Sequence, residues 1–251
     1  MNAPTEEEEQ DRELVSELIF LKESRTRFVN HLHAIYLRAG QTMVTKKDLA
    51  TQASRKDTHL KLIGRYDREA ARCESLIDEI EVQIAQIEQA QTDRLKQNEL
   101  TPHLFSVPGV GPALAMAFEA YIGDGSRFHS GSQVANYTGL VPRVDCSGDF
   151  RRYGPITKRG CVAIRRVAIQ SAWAMVSSRD GGDFKAFYER RSTELGKKKA
   201  IVAIARKMVV LMYTLVKNRN FYRYTPLKDR LLKLKRCKVA AIGGLGVDAI
   251  T

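Results

Sequence analysis

From Asp11 to Arg38 the apolar residues Leu14, Leu18, Leu21, Phe28, Leu32 and Ile35 follow a 4-3-7-4-3 spacing, with Arg25 in the one slot that breaks it. That period returns side chains to one face of an α-helix, whereas a strand alternates every second residue. The spacing predicts an amphipathic helix of about 28 residues, roughly 42 Å long at the usual rise, and Gly40 supplies its stop. A second helix is predicted from near Thr58 to about Leu95. Its seam is Ile77, Ile80, Ile84 and Ile87, and Glu79, Glu81, Gln83, Gln86 and Glu88 cover its outer face. Two such helices fit a coiled-coil hairpin or dimerisation arm, and equally two helices on one ordinary core. Neither arrangement supplies chemistry by itself.

The composition changes at Asn98–His103, which contains Pro102. Short helices and Gly-rich turns follow to about Asp183, then helices over Phe184–Leu195 and Lys198–Lys217. The last has an apolar side of Ile201, Ile204, Ala205, Met208, Leu211, Met212 and Leu215. No strand pattern stands out, so the expected fold is mainly α. A long helical, coiled-coil hairpin at 11–97 leads into a compact helical domain at 103–223, with a disordered acidic tail at 1–10 and a loosely ordered one at 224–251.

The 251 residues carry a net charge of +12, and its distribution matters more than its size. Residues 1–139 hold 16 Lys and Arg against 21 Asp and Glu, whereas residues 140–223 hold 19 against 6. A positive field concentrated in one half favours a polyanionic partner over a merely solvated surface. The four cysteines, Cys73, Cys146, Cys161 and Cys237, form no C-x-x-C pair. With an acidic start unlike an export signal, they suggest a reducing, cytoplasmic setting without disulfides or a zinc site. No apolar window reaches membrane-spanning length, so no membrane partner is expected. His31 and His33 lie on different faces of the first helix and cannot chelate a metal together. Trp173, Tyr137 and Phe184 read as core rather than as platforms for bases.

Two segments carry more specific signals. Ser106-Val-Pro-Gly-Val-Gly-Pro-Ala places Gly109 and Gly111 in a tight turn and Pro112 at a helix start. Backbone amides at such a turn suit a phosphate, so Pro108, Gly109, Val110 and Gly111 are candidate DNA-backbone contacts. The pattern resembles a helix-hairpin-helix motif, and a plain turn between two helices remains open. Further on, Gly139-Leu-Val-Pro-Arg143 leads to Ser147-Gly148, Arg151, Arg152 and Thr157-Lys158-Arg159. Thr157 is expected to cap a helix with Ile164, Val167, Ala168, Ser171 and Ala172 inward and Arg165 and Arg166 on the flank. A serine hydroxyl among guanidinium groups suits attack on a phosphodiester, because the cations stabilise charge developing on phosphorus. Ser-Gly pairs in loops are common, and the spacing alone leaves the role of Ser147 open.

The ordered series S-V-P-G-V-G-P, G-L-V-P-R, S-G and I-T-K-R-G-C-V-A-I-R-R-V-A-I-Q-S-A resembles the C-terminal domain of DEDD-type insertion-sequence transposases. That group includes the Piv-type DNA invertases and the bridge-RNA-guided recombinases. Gly196-Lys-Lys-Lys-Ala-Ile-Val-Ala-Ile-Ala-Arg-Lys-Met208 resembles the group's closing helix. The first helix, with Lys22, Arg27, Asn30 and His33 on one face, resembles the helix after its catalytic domain. The likeness covers about residues 11–220.

The resemblance implies DNA as partner and a guide RNA, and a homo-oligomer would suit both the coiled coil and strand exchange. The resemblance also implies a covalent serine–DNA link, which falls on Ser147. Cys146 stands where members often have another serine. The divalent metal of the group belongs to an N-terminal ribonuclease-H-like domain with four carboxylates, for which this chain has no counterpart. No cofactor is therefore assigned to the chain, and a truncated transposase is expected. The alternative is a non-enzymatic helix-hairpin-helix DNA-binding protein. A coiled-coil protein whose basic half meets acidic partners is a third reading.

Overall fold

The computed structural model describes residues 5–59, 62, 64–147, 150–178 and 181–222, with side chains 145–153 outside the description. The expected tail 224–251 lies outside the described residues. The chain divides into two compact units, one made of residues 16–90 and the other of the first 15 residues together with those from Gln91 onward.

The unit at 16–90 is built from most of α1 (Glu6–Arg38), α2 (Gln52–His59) and most of α3 (Arg65–Gln97). Ion pairs Lys22–Glu88, Arg25–Glu81 and Arg38–Glu69 descend one helix while climbing the other, which makes α1 and α3 antiparallel. The buried face of α1 is Leu18, Val29, Leu32, Ile35 and Tyr36, and Leu21 and Phe28 are only half-buried. Val44, Leu49, Leu62, Ala70, Cys73 and Ile77 complete the core. Arg25 interrupts the seam for a reason that the structure supplies: its guanidinium donates to Glu81 at 2.7 Å and to the Ala50 carbonyl at 2.5 Å.

The expected continuous helix from Thr58 is two helices. Gly64, at φ +70°, stands just ahead of α3 in a conformation that ends helices. Arg55 of α2 is 1% exposed and is clasped by Asp78 at 2.6 Å and Glu81 at 2.7 Å on α3. A buried guanidinium needs such partners, because an unpaired one would stay solvated or leave the core.

The acidic start is helical. Thr5 and Glu8 form reciprocal bonds of 3.2 Å between side chain and amide, a capping box, and Glu6–Glu9 fill the first turn of α1. Carboxylates there complement the positive end of the helix dipole. Within the other unit the start of α1 is tied down by Arg12 Nε donating to the Ala120 carbonyl at 2.9 Å. Gln91 of α3 donates to the Leu14 carbonyl at 3.1 Å.

That unit is assembled around α9 (Lys197–Lys217), which packs against α4 (Thr101–Phe105), α6 (Gly131–Tyr137), α7 (Val162–Ser177) and α8 (Gly182–Leu195). Ile201, Ile204, Ala205, Met208, Met212 and Leu215 are buried as the period requires, and Leu211 is half-buried. α5 (Pro112–Tyr121) lies on α7. The architecture is mainly α, as expected, with one addition. β1 (Pro142–Ser147) and β2 (Phe150–Ile156) form an antiparallel pair where no strand was anticipated. The signal was in the sequence: two residues, Gly148-Asp149, separate the runs, which is a hairpin spacing and composition. No described helix is long and apolar enough to cross a membrane.

Candidate nucleic-acid interface

The turn at 108–111 joins α4 to α5. Val107 and Val110 point into the core, and the Val110 amide donates to the Val107 carbonyl at 3.3 Å. The two glycines do different things. Gly109 has φ +77°, and a Cβ there would sit 2.6 Å from Met175 Cβ and 2.9 Å from the Ser171 carbonyl. It is glycine so that the turn can lie directly on α7. Gly111 is extended, and a Cβ there would meet nothing within 4 Å. Of the two, Gly111 leaves room for a ligand to approach the start of α5.

The hairpin register places Ser147 opposite Phe150, Cys146 opposite Arg151 and Asp145 opposite Arg152, with an irregularity between Pro142 and Val144. Ser147 is therefore the last paired residue of β1. The side chains of Ser147, Arg151 and Arg152 lie outside the described residues, while Arg143 is exposed on β1.

Thr157 is not a helix cap. Its amide donates to the Val141 carbonyl at 2.8 Å, Lys158 takes φ +54°, and α7 starts at Val162 after Cys161. The misplacement has a physical cause at Gly160, where φ is +125° and a Cβ would collide with the Tyr137 carbonyl. The Cys161 amide donates to that carbonyl at 2.8 Å. The chain must first cross the end of α6 before it can turn helical.

Lys158, Arg159 and Arg166 are exposed. Arg165 is not on a solvated flank but buried, its Nη1 donating to the Thr138 carbonyl at 3.1 Å. A Cβ on Gly139 would fall 2.7 Å from that Nη1 and 2.6 Å from the Arg159 carbonyl. Arg165 thus serves as the fastening between the end of α6 and the start of α7. The expected group resolves into an exposed set (Arg143, Lys158, Arg159, Arg166) and a structural arginine.

Two other reactive groups are quiet. Burial pushes the Cys161 thiol up, although the Ile164 and Ala163 amides oppose this, so it is no activated nucleophile. The Cys73 thiol, also buried, is pushed up to about 11. Trp173, expected in the core, is 40% exposed and meets Tyr188 edge-on at 5.9 Å. Among the described residues no cluster of three or more His, Cys, Asp or Glu side chains could hold a metal ion. The divalent metal implied by the resemblance has no ligand set among them.

Part of the chain is similar in sequence to known proteins. Residues 101–189, from α4 into α8, match the Transposase IS116/IS110/IS902 family. The chain is 34% identical over 134 residues to a transposase for insertion sequence element IS1111A of Coxiella burnetii, covering 51% of this chain and 36% of that protein. It is 30% identical over 150 residues to a probable family 20 transposase of Pseudomonas aeruginosa, covering 57% and 43%. A pilin gene-inverting protein of Moraxella lacunata is 33% identical over 124 residues, covering 47% and 37%. The matched stretch is less than half the length of each of these three relatives.

Proposed function

We propose that this chain, carrying a transposase-family domain at 101–189, binds DNA and takes part in transposition or site-specific recombination with Ser147 as nucleophile. The observation that carries the reading is the position of Ser147 at the end of a two-stranded hairpin inside that domain. Arg151 and Arg152 pair one and two positions back along the same ladder, and Arg143 is exposed on β1.

In the proposed step the Ser147 hydroxyl attacks a backbone phosphorus. An oxygen–phosphorus bond forms as the bond to the departing nucleoside oxygen breaks. The hydroxyl proton passes to solvent, and the departing oxygen takes one up. Arg143, Arg151, Arg152, Lys158, Arg159 and Arg166 would offset the charge on the phosphoryl oxygens, where preorganised cations act most strongly. Of the Pro108–Gly111 turn, the open Gly111 end would meet the DNA backbone without reading sequence. A homo-oligomer and a guide RNA belong to the same proposal, as does pairing of α1 and α3 as a coiled coil.

The test is a denaturing gel of the protein incubated with end-labelled DNA carrying an element end. The reading expects a covalent species from the wild type and none from Ser147→Ala. A species that persists in Ser147→Ala refutes the assignment. The second reading, a non-enzymatic helix-hairpin-helix binder, is favoured by the open approach at Gly111. It expects duplex binding with no covalent species from either protein.

A further inference from the structure

A cavity of about 730 Å³, walled by α8, α9 and the start of α6, has no part in the chemistry above. Its apolar lining includes Phe184 and Tyr222, whose rings lie 6.3 Å apart at 50°. The Tyr222 side of that wall is tied down. The Tyr222 amide donates to Ser106 Oγ at 2.9 Å, the Ser106 hydroxyl donates to the His103 carbonyl at 2.6 Å, and Phe221 stacks on His103 at 4.5 Å.

Arg206 and Lys207 also line the cavity. The Lys207 ammonium is held 3.9 Å above the Phe187 ring centroid, with the Arg190 and Arg191 guanidinium carbons 5.6 and 5.7 Å from the same ring. Cation–π attraction steadies Lys207 without neutralising it. Among the described residues Arg206 makes no ion pair. Among the described lining residues Asp183 is the one carboxylate and offers an acceptor, and Ser132 offers a hydroxyl, while the Thr214 hydroxyl donates to the Val210 carbonyl at 3.0 Å.

This combination discriminates among ligands. A lipophilic molecule would not need the cations, and an inorganic anion would not need the aromatic wall. A nucleotide unit uses both: a flat base that stacks and a phosphate that meets the cations, while Asp183 suits an exocyclic amine. A paired base is shielded on both faces, so the occupant is unpaired.

We infer that the cavity receives an unpaired base of a DNA strand, stacked at Phe184 and Tyr222, with its neighbouring phosphate on Arg206 and Lys207. The inference rests on the DNA reading but not on Ser147. It would let the protein hold a strand opened during exchange.

The test uses the full chain and a DNA oligonucleotide with one 2-aminopurine, placed either in a single-stranded stretch or fully paired. Quenching on binding is expected only for the unpaired probe. Phe184→Leu, which keeps apolar volume without an aromatic face, should weaken capture by roughly 5- to 100-fold, as for other stacked bases. Arg206→Gln, at a half-exposed position, should reduce the slope of log affinity against log salt by about one. Equal quenching and affinity in wild type and Phe184→Leu overturn the inference, as does capture of an RNA strand but not the DNA strand. Ser147→Ala should quench like the wild type. Loss of the covalent species with capture intact therefore refers to the nucleophile alone, and the converse to the cavity alone.

Discussion

Arg165 donates a hydrogen bond to the Thr138 carbonyl at 3.1 Å from a buried position between the end of α6 and the start of α7. Removing it leaves that carbonyl without this donor in the core, and bonds to charged groups contribute about 1.5–3 kcal/mol. Arg165→Ala is expected to lower unfolding free energy by that order in urea denaturation. Any loss of DNA affinity should track the unfolded fraction. Unchanged stability with weaker DNA binding would instead make Arg165 a DNA contact.

The two turn glycines should separate cleanly. Gly109→Ala forces a side chain into φ +77° and against Met175, and should cost about 1–3 kcal/mol or more. Gly111→Ala, extended and with open space around it, should fold normally. If Gly111 fronts a phosphate, its Ala variant will bind duplex DNA less tightly at equal stability. Denaturation midpoints and filter binding on both variants check this.

Glu119 on α5 is buried, and desolvation pushes its carboxyl up to about 8, with the Thr101 hydroxyl donating to it at 2.7 Å. Its folded value stands above the unfolded one, so the native state binds the extra proton between about 4.5 and 8. The contribution is complete below the unfolded value and is lost as pH rises through the folded one. Wild-type stability should fall across that window by up to about 1.4 kcal/mol per pH unit relative to Glu119→Gln. Parallel stability–pH curves for the two proteins would contradict this.

Arg55 tests the helical unit. Burial pushes its two carboxylates, Asp78 and Glu81, up, but the hydrogen bonds and charge of Arg55, joined by a hydrogen bond from Gln52 to Asp78 and one from Arg25 to Glu81, together hold both below their ordinary range. Because both remain about a third exposed, solvent tempers the loss. Arg55→Met should cost about 2–3 kcal/mol, less than a fully buried pair would. The wild-type advantage should disappear as acid protonates the carboxylates below their normal values. Circular dichroism of both proteins against urea at pH 7 and pH 3 measures it.

Much of the fold was legible in the sequence because long amphipathic periods, as at Ile201–Leu215, answer to burial alone. What escaped depended on contacts far along the chain. Thr157 looked like a cap because its hydroxyl precedes an apolar period, yet the Gly160 crossing against Tyr137 delays the helix to Val162. Arg165 looked like a surface cation because its neighbour Arg166 is one, and only the Thr138 carbonyl distinguishes them. Phe28 packs against the core of α1 only half-buried, while Val29 and Tyr36, outside the 4-3-7-4-3 spacing, are fully within it. The Thr5–Glu8 capping box and the Gly148-Asp149 spacing, by contrast, are local signals. The aromatic and cationic cavity combines side chains from α6, α8, α9 and Tyr222, which no local pattern unites.

The most direct measurement of the central claim is mass spectrometry of the protease-digested protein after incubation with DNA carrying an element end. The account predicts a peptide spanning residue 147 that bears a nucleotide through a phosphoester on the Ser147 oxygen. A nucleotide attached at any other residue, or none under conditions where strand transfer proceeds, would contradict it.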